Sequence, residues 1–191
     1  MPAARKEGGS ETAAETGAGA GAAGGAGSYF LSAARDGIMS LWAADGTCLA
    51  SQGAHRTAVT CMSDVQPPSG DLKALLRVAG PGVVTSGQDG VVRVWDVARM
   101  KVASEFSLPN VMKVAWFNQS VVTGSASGEM YVWDYDTGAG AGAEEGGEAA
   151  SRGWRARALT HHSQQCSAIV TSKYCMASAS KSGKILKHSA M

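Results

Sequence analysis

Four stretches of this sequence superimpose without gaps: FLSAARDGIMSLW (30–42), VVTSGQDGVVRVW (83–95), VVTGSASGEMYVW (121–133) and CMASASKSGKILKH, whose last residue is His188. Each is a short apolar run, a tight polar turn ending in glycine, and a second run closed by a ring side chain. Runs this short, bounded by turn residues, encode paired β-strands, with glycine where the turn needs a positive φ. The closing ring falls at Trp42, Trp95, Trp133 and His188, at separations of 53, 38 and 55 residues. One hairpin alone is marginal in water. An in-phase series therefore implies hairpin units that stack and bury one another's faces. No segment sustains a 3.6-residue apolar period with caps; LKALLRV (72–78) is the nearest and is too short to stand as a helix.

The 38-residue spacing is close to the ~40 residues of a four-stranded propeller blade. The two longer gaps hold evident insertions, QPPSGDLKALLRVAGPG (66–82) and GAGAGAEEGGEAASR (138–152). VVTSGQDGVVRVWDV (83–97) and VVTGSASGEMYVWDYDTG (121–138), in which Trp95-Asp96 recurs as Trp133-Asp134, resemble the WD40-repeat family, and the resemblance extends over 29–191. It implies an all-β fold, a partial β-propeller of WD40 type with about three and a half four-stranded blades. The blades are expected at roughly 29–52, 53–106, 107–160 and 161–191. The first would lack its innermost strand and the last its outer strand, for fourteen strands in all. Two copies would supply 28, the number in seven complete blades.

The resemblance also implies a hydrogen-bonded tetrad in each blade, running from a Trp ring N–H through Ser or Thr and His to the turn Asp. The second repeat holds all four members: His55, Thr85, Asp89 and Trp95. The first offers Trp42, Ser32 and Asp36. The third has Trp133 and Thr123 with Ser127 in place of Asp, and the fourth has Ser178, either His161 or His162, Ser182 for Asp and His188 for Trp. In this family the residue before the turn Asp faces the rim. That assigns Arg35, Gln88, Ala126 and Lys181 to it, with Arg56 beside them, and a partner-binding rim of Arg35, Arg56, Gln88 and Lys181 suits an acidic or phosphorylated peptide.

Composition bounds the function. Residues 8–28 are almost all Gly, Ala, Ser, Thr and Glu, so 1–28 reads as a disordered tail without side chains to offset ordering entropy. Seventeen basic against sixteen acidic residues give a net charge of +1, which provides no field for nucleic acid. No run reaches the ~18 apolar residues of a membrane span. Cys48, Cys61, Cys166 and Cys175 have no CxxC spacing and sit in apolar runs, as unpaired thiols in cytoplasm or nucleus do. His161, His162, Cys166 and Cys175 are zinc-ligand types, but their spacing suits no closed site. Every prominent Ser or Asp has a place in a blade turn, which leaves no catalytic triad. The expectation is a non-catalytic protein–protein interaction scaffold, without cofactor, metal or catalytic residues, that binds other proteins or peptides and needs further blades from the same or another chain. The alternative is the anchoring or substrate-recognition part of a larger enzyme or membrane-trafficking protein. Uncovered blade faces are expected at both ends, with Phe30, Leu31, Ile38 and Leu41 on one and Ile169, Val170, Ile185 and Leu186 on the other.

Overall fold

A computed structural model of the chain describes residues 29–65, 81–136, 153–159, 161–172 and 174–189. The 1–28 tail, the 138–152 insertion and all but the end of the 66–82 insertion lie outside the described residues. Among those described there are fourteen strands and no helix. Blade 1 is β1 (Tyr29–Ala33), β2 (Ile38–Ala43) and β3 (Cys48–Gly53). Blade 2 is β4 (Val59–Val65), β5 (Gly82–Gly87), β6 (Val91–Asp96) and β7 (Lys101–Ser107). Blade 3 is β8 (Val111–Phe117), β9 (Ser120–Ser125), β10 (Met130–Asp136) and β11 (Gly153–Ala158), and blade 4 is β12 (Cys166–Thr171), β13 (Cys175–Ser180) and β14 (Ile185–Ser189). Each sheet is an antiparallel meander in chain order. The all-β partial propeller thus has two complete blades between two three-stranded ones.

Local sequence explains the repetition. The turn after β1, β5, β9 and β13 ends in Gly37, Gly90, Gly128 and Gly183, all at φ between +74° and +94°. That region is open to glycine at no steric cost. In each turn the glycine N–H donates to the carbonyl three residues back, as from Gly90 to Gly87 at 3.1 Å. The innermost strands β4, β8 and β12 each carry a register shift at the same place, after Val59, Val111 and Cys166. A bulge there bends and twists the strand.

Strand alternation then gives each of the two middle blades two buried faces. Val84, Val92 and Val94 of blade 2 pack against Val111, Val114, Trp116 and Val121 of blade 3, all nearly inaccessible. The opposite face of blade 2, with Val83 and Trp95, meets Met39 of blade 1, and Val122, Met130 and Val132 of blade 3 meet Met176 of blade 4. Between blades 2 and 3 the outer strands add aromatic contacts. Phe106 stacks on Trp133 at a centroid distance of 4.2 Å and also meets Trp154, whose indole N–H donates to Ser104 Oγ at 2.8 Å.

The ends differ from expectation in one respect. Leu31 and Ile169 do not face outward: Leu31 packs with Met39 and Trp95, and Ile169 with Val122 and Met176. Leu41 and Leu186 share those inner faces, because Leu41 pairs with Leu31, and Leu186 pairs with Ser178, the partner of Ile169. A strand puts alternate residues on opposite sides, so only half of each apolar run can be uncovered. Phe30 and Ile38 at one end, and Val170 and Ile185 at the other, are exposed, by 52%, 41%, 67% and 72%. The strands are grouped as three, four, four and three, as the repeat pattern implies. Two copies would therefore bring eight sheets, four of them incomplete, and an equal strand total does not make seven blades.

Candidate partner-binding rim

The glycine turns all emerge at one end of the blades and are tied to neighbouring backbone. Gln88, Ala126 and Lys181 donate their N–H groups to the carbonyls of Ala58, Asn110 and Gln165 at 2.9–3.0 Å. The Gly37 carbonyl accepts from Ala54 and His55 N–H, which sets the segment 54–56 of blade 2 against the blade 1 turn. A Cβ at Gly37 would collide with the His55 carbonyl, and one at Gly128 with the His162 carbonyl. These turns are fixed pedestals.

Behind the second turn lies a continuous polar chain. Trp95 Nε1 donates to Thr85 Oγ1 at 2.9 Å, the Thr85 hydroxyl meets His55 Nε2 at 2.9 Å, and His55 Nδ1 meets Asp89 Oδ1 at 2.9 Å. Thr85 is wholly buried and Trp95 nearly so. Burial pulls His55 below its ordinary pKa, against the opposing pull of the Asp89 carboxylate. The ring is neutral near pH 7, with Nδ1–H donating to Asp89. Burial pushes the Asp89 carboxyl up, but bonds from His55 and from the backbone N–H groups of Arg56 and Val91 outweigh it and hold the group below the usual carboxylate range. The Arg56 N–H donates to Asp89 Oδ2 at 3.1 Å, so Arg56 is fixed between the first and second turns.

The other blades carry shorter chains. Trp42 Nε1 reaches Ser32 Oγ, and Trp133 Nε1 reaches Thr123 Oγ1, both at 2.9 Å. In blade 3, Ser127 in place of Asp bonds Ser125 and Glu129. In blade 4 the buried histidine is His162, which bonds Ser178 Oγ through Nε2 at 2.9 Å, while His161 is exposed. Ser182 bonds Ser180 instead of the ring, and His162 Nδ1 is buried with no partner.

Arg35, Arg56, Gln88 and Lys181 are all exposed at this end. The structure brings Arg35, Arg56 and Gln88 onto adjoining segments. Lys181 stands on the fourth turn, beyond the blade 3 turn that carries Ala126. The aromatic set of Phe106, Trp133 and Trp154 was not read from the sequence, because it depends on which outer strand faces which blade.

Residues 46–96 match the family model described as WD domain, G-beta repeat. One WD40 repeat is thus identified, at residues 46–96. The matched span contains β3 of blade 1 and β4–β6 of blade 2, so the WD40 sequence unit joins the outer strand of one blade to three strands of the next. A comparison with curated protein sequences finds no match. Among solved structures the chain is similar to the computationally designed Ika4 protein, at 20% identity and a TM-score of 0.56, with 83% of each chain covered. It is also similar to the computationally designed Ika8 protein, at 22% identity and a TM-score of 0.53, over 83% of this chain and 42% of that one. These likenesses establish the propeller fold alone. WD40 repeats generally mediate protein interactions. Among the described residues no group of His, Cys, Asp and Glu could hold a metal ion, and no helix is long and apolar enough to cross a membrane.

Proposed function

We propose that this chain is a non-catalytic interaction scaffold that binds acidic or phosphorylated peptides on the rim formed by Arg35, Arg56, Gln88 and Lys181. The observation that carries this reading is Arg56: its backbone is pinned by Asp89 at 3.1 Å while its side chain is exposed beside the blade 1 turn. A rigid backbone presenting free guanidinium groups loses little entropy on binding and offers paired donors to carboxylate or phosphate. The tetrad holds the pedestal and takes no part in chemistry. Four cysteines, none paired with another, support placing the scaffold in a reducing compartment, cytoplasm or nucleus.

The test is binding of fluorescent acidic and phosphoserine peptides to the full chain, wild type against Arg35→Glu/Arg56→Glu. Loss of about tenfold or more in affinity with unchanged circular dichroism is expected, since each charge-assisted bond is worth about 1.5–3 kcal/mol. Unchanged affinity would refute the rim.

A further inference from the structure

The register places His188 where blades 2 and 3 hold tryptophan: Val83 pairs with Trp95, Val121 with Trp133, and Met176 with His188. The outer strand of the preceding blade can be matched in the same way. Phe106 pairs with Val92, three residues before Trp95, and Leu159 bonds Met130, three residues before Trp133. Leu159 therefore takes the place of Phe106. Likewise Ser104 pairs with Val94 and Arg157 with Val132, so Arg157 takes the place of Ser104.

Between blades 2 and 3 this location is filled by three aromatic rings, Phe106 on Trp133 and Trp154 against Phe106, with the Trp154 N–H on Ser104. Between blades 3 and 4 the first two are replaced by Leu159 and His188. Among the described residues no strand pairs with the outer edge of β14, so nothing there stands where Trp154 stands. What remains is a cavity of about 330 Å³ whose lining includes the apolar Phe117, Val132, Leu159 and Met176 together with Arg157 and His188. It adjoins the β8–β9 turn, at the opposite end of the blades from the rim.

We propose that this cavity binds one aromatic ring with an adjacent carboxylate, supplied by an acidic, aromatic peptide segment of a protein partner. The volume is ample, since an apolar cavity of about 150 Å³ accepts benzene. The cavity continues the blade 3–blade 4 interface, whose counterpart one blade earlier is filled by aromatic rings. The polar contact is inverted, however. Ser104 accepts a hydrogen bond from Trp154, whereas a guanidinium only donates, so the occupant must bring an acceptor. The only ion pair described for Arg157 is a 3.9 Å contact with Asp134 at the surface, which leaves donors for a carboxylate. The His188 ring and the aliphatic Leu159 flank the space for the ring, and the paired donors of Arg157 select a charged neighbour over an amide.

The experiment is a titration of the full chain, monitored by calorimetry, with Ac-Gly-Phe-Asp-Gly-NH2, the Asn analogue lacking the charge, the Ala analogue lacking the ring, and free phenylacetate. Saturable binding of the first peptide, at least about tenfold tighter than either analogue, is expected. Phenylacetate should bind more weakly; tighter binding of phenylacetate would overturn the peptide as occupant. His188→Trp and Leu159→Phe each refill the cavity and should lose about tenfold or more while remaining folded. Arg157→Ser changes an exposed side chain, and should keep binding the ring while losing the preference for Asp over Asn. Arg35→Glu/Arg56→Glu should leave this binding unchanged, which separates it from the rim. Binding that survives both refilled variants, or an Asp preference that survives Arg157→Ser, would overturn the proposal.

Discussion

Replacing Thr85 by valine removes one hydroxyl from the middle of the blade 2 chain and leaves the shape of the side chain nearly unchanged. Thr85 is wholly inaccessible, and its Oγ1 is 2.9 Å from both the Trp95 ring nitrogen and His55 Nε2. Valine would leave two buried polar groups without partners, at about 1–3 kcal/mol each. The expected loss for Thr85→Val is therefore about 2–6 kcal/mol, a fall in Tm of roughly 5–20 °C. Thr123→Val is the internal control. Thr123 is equally buried, yet among the described residues its hydroxyl receives the N–H of a half-buried ring, Trp133, and bonds no histidine. One lost bond is worth about 1 kcal/mol. Urea unfolding followed by tryptophan fluorescence, at unchanged m-value, should place the Thr85→Val midpoint well below that of Thr123→Val. Equal midpoints would mean that His55 does not complete the chain, and the account of blade 2 would be wrong.

Two further outcomes follow from buried groups. Burial lowers the pKa of His55 and, together with Lys184 and His188, that of His162; the unfolded state therefore takes up more protons below about pH 6.5. Stability should be full above that pH and fall as pH drops through it, with a shallower fall in His162→Gln when urea midpoints are measured from about pH 8 to about pH 5. Burial also pushes the Cys166 thiol up, while Cys48 is exposed, so iodoacetamide mass mapping should label Cys48 first and Cys166 only on unfolding.

Much of the fold was legible because each blade repeats the same local constraints. The Asp-Gly or Ser-Gly turn dictates a hairpin, and the ring at Trp42, Trp95 and Trp133 marks the second strand. The second-blade tetrad could be named because each member belongs to a recognisable repeat position. What was not legible depends on contacts between blades. The sequence lists Leu31 and Ile169 beside exposed neighbours, and only register shows that they point inward. Sequence left His161 and His162 as equal choices, because a loop carries no alternation to separate adjacent residues; burial against Ser178 selects His162. The cavity beneath His188 was out of reach for the same reason, since it arises from the pairing of Leu159 and Arg157 with a ring one blade away.

Among the described residues the blades form an open series, with Phe30 and Ile38 exposed on one end face and Val170 and Ile185 on the other. Repeat arrays lose an interface at each uncapped end, and exposed apolar patches drive association. Sedimentation velocity on the purified 1–191 chain, over a concentration series and with a parallel hydrophobic-dye titration, tests this directly. The account predicts concentration-dependent association, with dye binding that falls as the chain associates. A monomer at every concentration, with a sharp thermal transition and no dye binding, would contradict it.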